Sequence, residues 1–398
     1  MERKGRLGFV PARYGDGVVG GAEAVLREMA HGLARRGWEV DVLTTCARDH
    51  FTWENVFDPG VESVADGVTV RRFPTVISTA RAERAQFNAA ISAGAPLAMT
   101  EQERWMNDDL RLPEMFHYLL DHSDEYRALV FAPYLFWPAF ACGQVAPDRT
   151  ILMPCLHDEP EAYLDIFHPV FSGSRGLWFL SDPECDLARS IHPRLTDYEV
   201  IGSGLDVPAS YDPEGFRARH GIEGPFVMYA GRREGGKNWE AMLDAFARAV
   251  VNGGLSLSMV TMGHGEVVPP PEIADRVFDL GYVSEAERND AYAAAAAYIQ
   301  PSAFESFSRT MMEAWLAGTL VIAAGASAVN RWHCDRSGAG LVYDDDDEFE
   351  ECLRFVAEAP EAAAGIAEAG RQYVLDRYTW PPVLDAVERT IDIWLPWS

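Results

Sequence analysis

Positive charge is scarce in this chain. Its 34 lysines and arginines stand against 61 aspartates and glutamates, a formal net charge of −27 over 398 residues. Such a balance argues against a nucleic-acid partner and against electrostatic docking on anionic lipid, while leaving room for a local basic pocket. Paired cysteines are lacking too. Cys46, Cys142, Cys155, Cys185, Cys334 and Cys352 occur without a CxxC, so neither a zinc site nor a disulfide framework is suggested, and reduced thiols in a cytoplasm are expected. The acidic group His157, Asp158, Glu159, Glu161 lacks HExxH spacing, so no metal is expected there. No apolar run reaches the roughly eighteen residues that would span a bilayer, and MERKGRLGFV passes straight into a strand-like segment; neither export nor membrane insertion is expected. Internal repeats are missing, and the alanines at 293 to 297 form the one low-complexity tract.

What is present has the composition of a globular protein, 48% hydrophobic and 24% charged, at a length that suits two domains with separate cores. Leu7 to Val10 reads as a buried strand, Ala22, Val25, Leu26, Met29 and Leu33 as a helical stripe, and Val40 to Thr44 as the next strand. Between the first strand and the helix, Gly15, Gly17 and Gly20 have GxGxxG spacing, followed by Gly21. A dinucleotide site is discounted because Pro11 to Tyr14 separate strand from glycine, and because Thr44 and Thr45 stand where a ribose-binding acid belongs. A flexible glycine loop at a helix start remains. Thr75 to Arg127 turns helical and irregular, with Arg81, Arg84, Arg104 and Arg111 among apolar residues, and reads as the region that selects a partner. Ala128 to Ala132, Thr150 to Met153 and Leu177 to Leu180 are further strands. His157 lies just past the second of these, where α/β folds place ligands, while Ser181 and Glu184 have capping-box spacing.

Ile201 to Pro225 is rich in Gly, Pro and Asp and marks the domain boundary. From Phe226 the α/β alternation restarts, through a strand at Leu255 to Met262 and on to about Val342. GRREGGKN, Gly231 to Asn238, matches the GxxxxGK of a phosphate loop but has Asn238 where magnesium would need Ser or Thr, which disfavours an NTPase. Arg232 and Lys237 flank that turn as cations able to neutralise a diphosphate. Gly263 and Gly281-Tyr282-Val283 follow later strands, in loops where backbone groups can read a base. Asp344 to Asp347 reads as a solvated helix start rather than a metal-binding Asp-x-Asp, and Tyr378 to Pro382 breaks a long helix before another at Val383 to Trp394.

The most informative stretch is PSAFESFSRTMMEAW, Pro301 to Trp315. Phe307, Met311, Met312 and Trp315 have the spacing of a helix packed on a sheet, with Glu305 in the loop at its N-terminal end and Glu313 within it. Unpaired N–H groups and the positive end of the helix dipole then face the same way as Glu305.

With GGAEAVLREMAHGLARRGWEVDVLTT, AGRREGGKN, LGYVSE and PSAFESFSRTMMEAWLAGTLVIA, the chain resembles, over nearly its whole length, the retaining GT-B glycosyltransferases of family 4. The resemblance implies two Rossmann-like domains facing across a central cleft, with the last helix crossing back to the first domain. It places an acceptor-binding domain at 1–204, completed by 380–398, and a donor-binding domain at 205–379. It also implies roles: Arg232 and Lys237 on the donor diphosphate, Glu313 on the ribose, Glu305 on the transferred sugar, and the N–H groups of Phe307 and Ser308 near the phosphates. Gly20 and Gly21 would shape the cleft floor and His157 would lie beside the donor sugar. Ser308 departs from the family in standing where glycine is frequent. GASAVNRWHCDRSGAG replaces the usual Gly-Gly-x-x-Glu segment, where Trp332, His333 and Ser337 could line the sugar pocket instead.

The expected reaction is metal-independent transfer of a sugar, with retention, from a nucleotide diphosphate-sugar to an acceptor hydroxyl. No cofactor is implied beyond that co-substrate. An epimerase or sugar phosphorylase of the same fold, or a catalytically silent nucleotide-binding protein, are the alternatives.

Overall fold

The computed structural model describes residues 4–15, 17–18, 20–78, 81–233 and 235–396. Its contacts divide the chain into two compact units, 1–204 with 380–398, and 205–379.

In the first unit, strands β1 (Arg6–Pro11), β2 (Glu39–Thr45), β3 (Gly60–Ser63), β4 (Thr69–Phe73), β7 (Ala128–Ala132), β8 (Thr150–Leu152), β9 (Gly176–Phe179) and β10 (Tyr198–Val200) form an eight-stranded sheet. A separate short pair joins β5 (Val76–Ile77) to β6 (Leu110–Arg111). The sheet order is β10-β9-β8-β7-β1-β2-β4-β3, parallel throughout except where β3 runs against β4. β1 and β7 are near-continuous apolar runs because a parallel sheet is covered on both faces. The helix Gly21–Arg35 covers one face with Val25, Leu26, Met29 and Leu33.

The C-terminal helix Trp380–Trp394 packs on this same unit, where glycines allow close approach. A Cβ on Gly176 would fall 2.3 Å from the Trp394 ring, and one on Gly204 equally close to Trp380. The preceding helix ends at Arg377, so the expected break is present, but the last helix starts earlier than expected: Pro381 and Pro382 sit in its first turn, where their missing N–H groups cost nothing. In the arginine-rich segment two of the four arginines make contacts within the unit. Arg84 stacks on Trp105, donates to its carbonyl and pairs with Asp109 at 3.3 Å, while Arg104 pairs with Glu83. These arginines knit the helices Arg81–Ser92 and Met99–Asn107 together. Thr79 and Ala80 of that segment, and Asp16 and Val19 of the glycine loop, lie outside the described residues.

In the second unit, β11 (Phe226–Ala230), β12 (Ser258–Met262), β13 (Val277–Asp279), β14 (Ala297–Gln300), β15 (Leu320–Ala324) and β16 (Gly340–Tyr343) make a wholly parallel sheet of order β13-β12-β11-β14-β15-β16. The helix Trp239–Val251 buries Trp239, Met242, Leu243 and Phe246 against it. The boundary stretch holds a helix that its composition conceals, Pro213–His220. Asp212 caps it by accepting from the Gly215 N–H, and Gly221 closes it at φ 63°, so the breakers in this stretch are its caps. Among the described residues no helix is long and apolar enough to cross a membrane.

Candidate functional site

The second unit's strand order runs outward in both directions from β11 and β14, so the loops at the carboxyl ends of these two strands flank a topological switch point. The loop after β11 ends in a 3-10 turn, Gly235–Lys237, and the loop after β14 carries Glu305. The two meet. Lys237 Nζ lies 2.8 Å from Glu305 Oε1 and 3.4 Å from Ser302 Oγ, with both partners of the ion pair largely shielded from solvent.

Neighbouring strand-end loops are fastened to one another through backbone groups. Gly231 N–H donates to Met262 O, Arg233 N–H to His264 O and Gly263 N–H to Gly281 O. Gly263, at φ 132°, is required here: a Cβ would fall 1.9 Å from Gly231 O. Arg233 fixes the same junction from beneath. Its guanidinium, 1% exposed, donates to the carbonyls of Gly263 (2.7 Å) and Gly265 (2.9 Å), to Thr261 Oγ1 (3.2 Å) and to Asp279 Oδ1 (2.5 Å). Burial lowers its pKa, and Asp279 opposes that shift. Arg232 is half-buried, and its carbonyl accepts from Tyr229 OH at 2.6 Å. Val283 is half-buried in the loop before the helix Glu285–Ala294, next to Tyr282, whose exposed ring stacks on His264 at 5.1 Å.

The loop after β14 is held in place by residues that spacing does not single out. Gln300 Nε2 donates to Ser308 Oγ at 2.6 Å, Tyr298 OH to Thr310 Oγ1 at 2.7 Å, and Asn330 Nδ2 to Ser302 O at 3.1 Å. Ser308 caps the helix Arg309–Leu316 in the left-handed region, φ 64° and ψ 62°. That conformation gives a physical reason for glycine at such a position, and here the Gln300 amide holds a serine in it. Phe307 turns its ring into the core against His333 and Tyr378.

His333 is a correction. It is fully buried, bonded through Nδ1 to Tyr373 OH at 3.0 Å, and burial pushes its pKa down to about 3, so it belongs to the core rather than to an open surface. Ser337, whose hydroxyl donates to Cys334 O, serves the end of the helix Ala328–Ser337. Glu313 projects from the helix Arg309–Leu316 toward Arg288, whose Nε lies 3.2 Å from its Oε2, and Tyr292, whose OH donates to Oε2 at 3.3 Å. The Glu313 charge is the main reason the Arg288 pKa is raised.

The remaining site residues of the sequence reading belong to the first unit. His157 follows β8, with Nδ1 3.7 Å from Glu159 Oε2; Tyr134 OH donates to the other Glu159 oxygen at 2.8 Å. The preceding backbone is tied down by Glu184, which accepts from the N–H groups of Leu156 (2.7 Å) and Leu180 (2.6 Å). Burial pushes this carboxyl up to about 8, against the pull of those N–H groups. Under the glycine loop lies a buried ion pair, Arg13 Nη2 to Glu23 Oε1 at 2.6 Å. A Cβ on Gly20 would collide with Glu23, whereas Gly21 faces open space, so only the first of the two positions demands glycine for room. Burial raises the pKa of the Cys155 thiol, and the charges of Glu184 and Glu23 add to that shift.

Residues 237–388 match the model of the glycosyl transferase-like family. A phosphatidyl-myo-inositol mannosyltransferase of Mycolicibacterium smegmatis is 28% identical over 215 residues, which span 52% of this chain and 55% of that protein. Sucrose-phosphate synthase from Thermosynechococcus elongatus shares the fold at a TM-score of 0.73 and 16% identity, covering 97% of this chain and 98% of its own. The Anabaena protein HepE, solved in complex with UDP and glucose, does so at 0.71 and 15%, covering 98% and 99%. With two units of Rossmann-type strand order and these structural neighbours, the chain has the GT-B fold, and its residues 237–388 are similar to the glycosyl transferase-like family.

Proposed function

We propose that this protein is a retaining glycosyltransferase of family 4 that moves a sugar from a nucleotide diphosphate-sugar to an acceptor hydroxyl without needing a metal ion. The observation that carries the reading is the meeting of Lys237 and Glu305 at 2.8 Å across the β11/β14 switch point. A cation and an anion there are suited to the two halves of such a donor, diphosphate and sugar hydroxyls. HepE, which shares the fold, has been solved with UDP and glucose and with UDP-glucose, which supports a donor of that class.

In this reading the bond between the sugar C1 and the phosphate oxygen breaks as the acceptor oxygen bonds to C1 on the same face. The acceptor proton passes to the departing diphosphate, and a nucleoside diphosphate leaves. The leaving group's growing charge is met by Arg232, Lys237 and the N-terminus of the helix Arg309–Leu316. Glu305 orients the sugar and Glu313 the ribose, both by positioning. The base is received beside Gly263 and Val283, near the stacked His264 and Tyr282 rings. His157, with Gly20 and Gly21, is assigned to the donor sugar.

The test is turnover of a panel of nucleotide-sugars with simple hydroxyl acceptors such as myo-inositol and alkyl glycosides. Released nucleoside diphosphate is measured, and the new anomeric centre is read by proton coupling in NMR. At least one pair should turn over with the donor's configuration kept. An inverted product contradicts retention, and turnover that requires free phosphate instead of an acceptor hydroxyl makes the protein a phosphorylase.

A further inference from the structure

We propose that Arg288 is a positioning residue for ribose recognition: together with Tyr292 it presets the Glu313 carboxylate, so that discrimination between ribose and sugars lacking its hydroxyls depends on Arg288. The inference rests on the donor-site reading above and extends it to residues that reading does not use.

Arg288 and Tyr292 lie one turn apart on the helix Glu285–Ala294, so their side chains share a face. That face meets Glu313 on the helix Arg309–Leu316. Arg288 Nη2 donates to Oε1 at 3.3 Å, Arg288 Nε lies 3.2 Å from Oε2, and Tyr292 OH donates to Oε2 at 3.3 Å. Tyr292 is itself immobile. Its side chain is fully buried, its ring stands edge-on to Tyr298 at 5.4 Å, and its carbonyl accepts from Thr319 Oγ1 at 2.5 Å.

A carboxylate offers about four lone-pair sites. These three contacts leave Oε1 with capacity to spare, and the Glu313 side chain remains 16% exposed. A carboxylate held from behind by a guanidinium keeps one rotamer, so a hydroxyl arriving at Oε1 meets an acceptor already aimed. Without Arg288 the same carboxylate can turn away. The pairing also raises the Arg288 pKa, with the Glu313 charge as its first cause.

The experiment uses the full chain and isothermal titration with UDP, GDP and ADP, each against its 2′,3′-dideoxy form. Inorganic pyrophosphate is the control probe for the diphosphate part of the site. For the wild type, the best-binding nucleotide should lose about tenfold or more in affinity on losing its hydroxyls, the worth of one hydrogen bond to a charged group. In Arg288→Met that ratio should fall to within about twofold while pyrophosphate binding is unchanged, and Arg288→Lys should recover part of it. Should Arg288→Met fold poorly by circular dichroism, Arg288→Lys and Tyr292→Phe carry the test, each lowering the ratio by about threefold. An Arg288→Met protein that discriminates as the wild type does overturns this proposal alone. A wild type that binds nucleotides without discriminating overturns the ribose role of Glu313 and this proposal with it. A wild type that binds none of the three removes the donor site itself.

Discussion

Glu305 Oε1 accepts from Lys237 Nζ at 2.8 Å although the two residues are 68 positions apart. Each sits in a loop leaving the carboxyl end of a different strand, and those strands, β11 and β14, are neighbours in the sheet. The pair is therefore a product of topology: it exists because the chain crosses from one half of the sheet to the other at this point.

Replacing the ammonium tests its part in leaving-group stabilisation. Lys237→Ala should lower turnover by about two orders of magnitude, the usual cost of removing one charge-stabilising donor, with little change in secondary structure. Activity within a few-fold of the wild type, measured as nucleoside diphosphate release, removes Lys237 from the mechanism.

The two adjacent arginines should separate stability from activity. Arg233 is buried with four acceptors, so Arg233→Ala leaves carbonyls and Asp279 without their donor and should cost about 3 kcal/mol in urea unfolding. Arg232 is half-buried, and Arg232→Ala should cost under about 1 kcal/mol yet reduce donor binding. Equal losses of stability in the two variants would show that the structural role is not confined to Arg233.

Ser308 holds a left-handed conformation, φ 64°, that a side chain makes costly. Ser308→Gly relieves that cost while giving up the Gln300 bond, so its stability should lie within about 1 kcal/mol of the wild type. Ser308→Val adds a branched Cβ and should lose about 2 kcal/mol or more. A valine variant that melts with the wild type contradicts the strain described here.

Acid should destabilise the protein through two buried histidines. Burial lowers the pKa of His192 to about 4, with His168 adding to the shift, and that of His333 to about 3. Both lie below the unfolded value of about 6.5, so between these pH values the unfolded chain binds more protons. The stability they contribute is complete above about pH 6.5 and is lost as pH falls through that window, by an amount on the order of 2 kcal/mol or more for each. His192→Phe, which keeps a ring against Phe171, should flatten part of the slope in urea melts from pH 7 to 4. An unchanged slope would assign the acid sensitivity to other groups.

Much of the fold could be read directly from periodicity. The helix Trp239–Val251 and strands β1, β2 and β7 fall where their apolar patterns place them, because buried elements of a parallel sheet leave a strong signal. Punctuation misled in part. The Asp, Pro and Gly residues around 213–221 are the caps of a short helix; the break expected at Tyr378 to Pro382 is present after Arg377, but Pro381 and Pro382 belong to the first turn of the next helix.

Around the candidate site, residue type and spacing single out Lys237, Glu305 and Glu313 but say nothing of what touches them. Arg232 and Arg233 look alike in sequence, and only the packing of three strand-end loops buries one of them. Arg288 and Tyr292 are unremarked in the chain because their partner Glu313 lies on another helix, 25 and 21 residues away. His333 invites a pocket role by its neighbours in sequence, yet the core claims it.

The most direct test of the central claim, that the β11/β14 loops bind a nucleoside diphosphate through Lys237, is a thermal and urea unfolding comparison with UDP, GDP, ADP, CDP and TDP. At about a hundred times its dissociation constant, a true ligand adds roughly 2.7 kcal/mol to the wild type. The prediction is that at least one of the five does so and that Lys237→Ala loses most of the gain at the same concentration. No stabilisation by any of them, or equal stabilisation of the variant, contradicts the account.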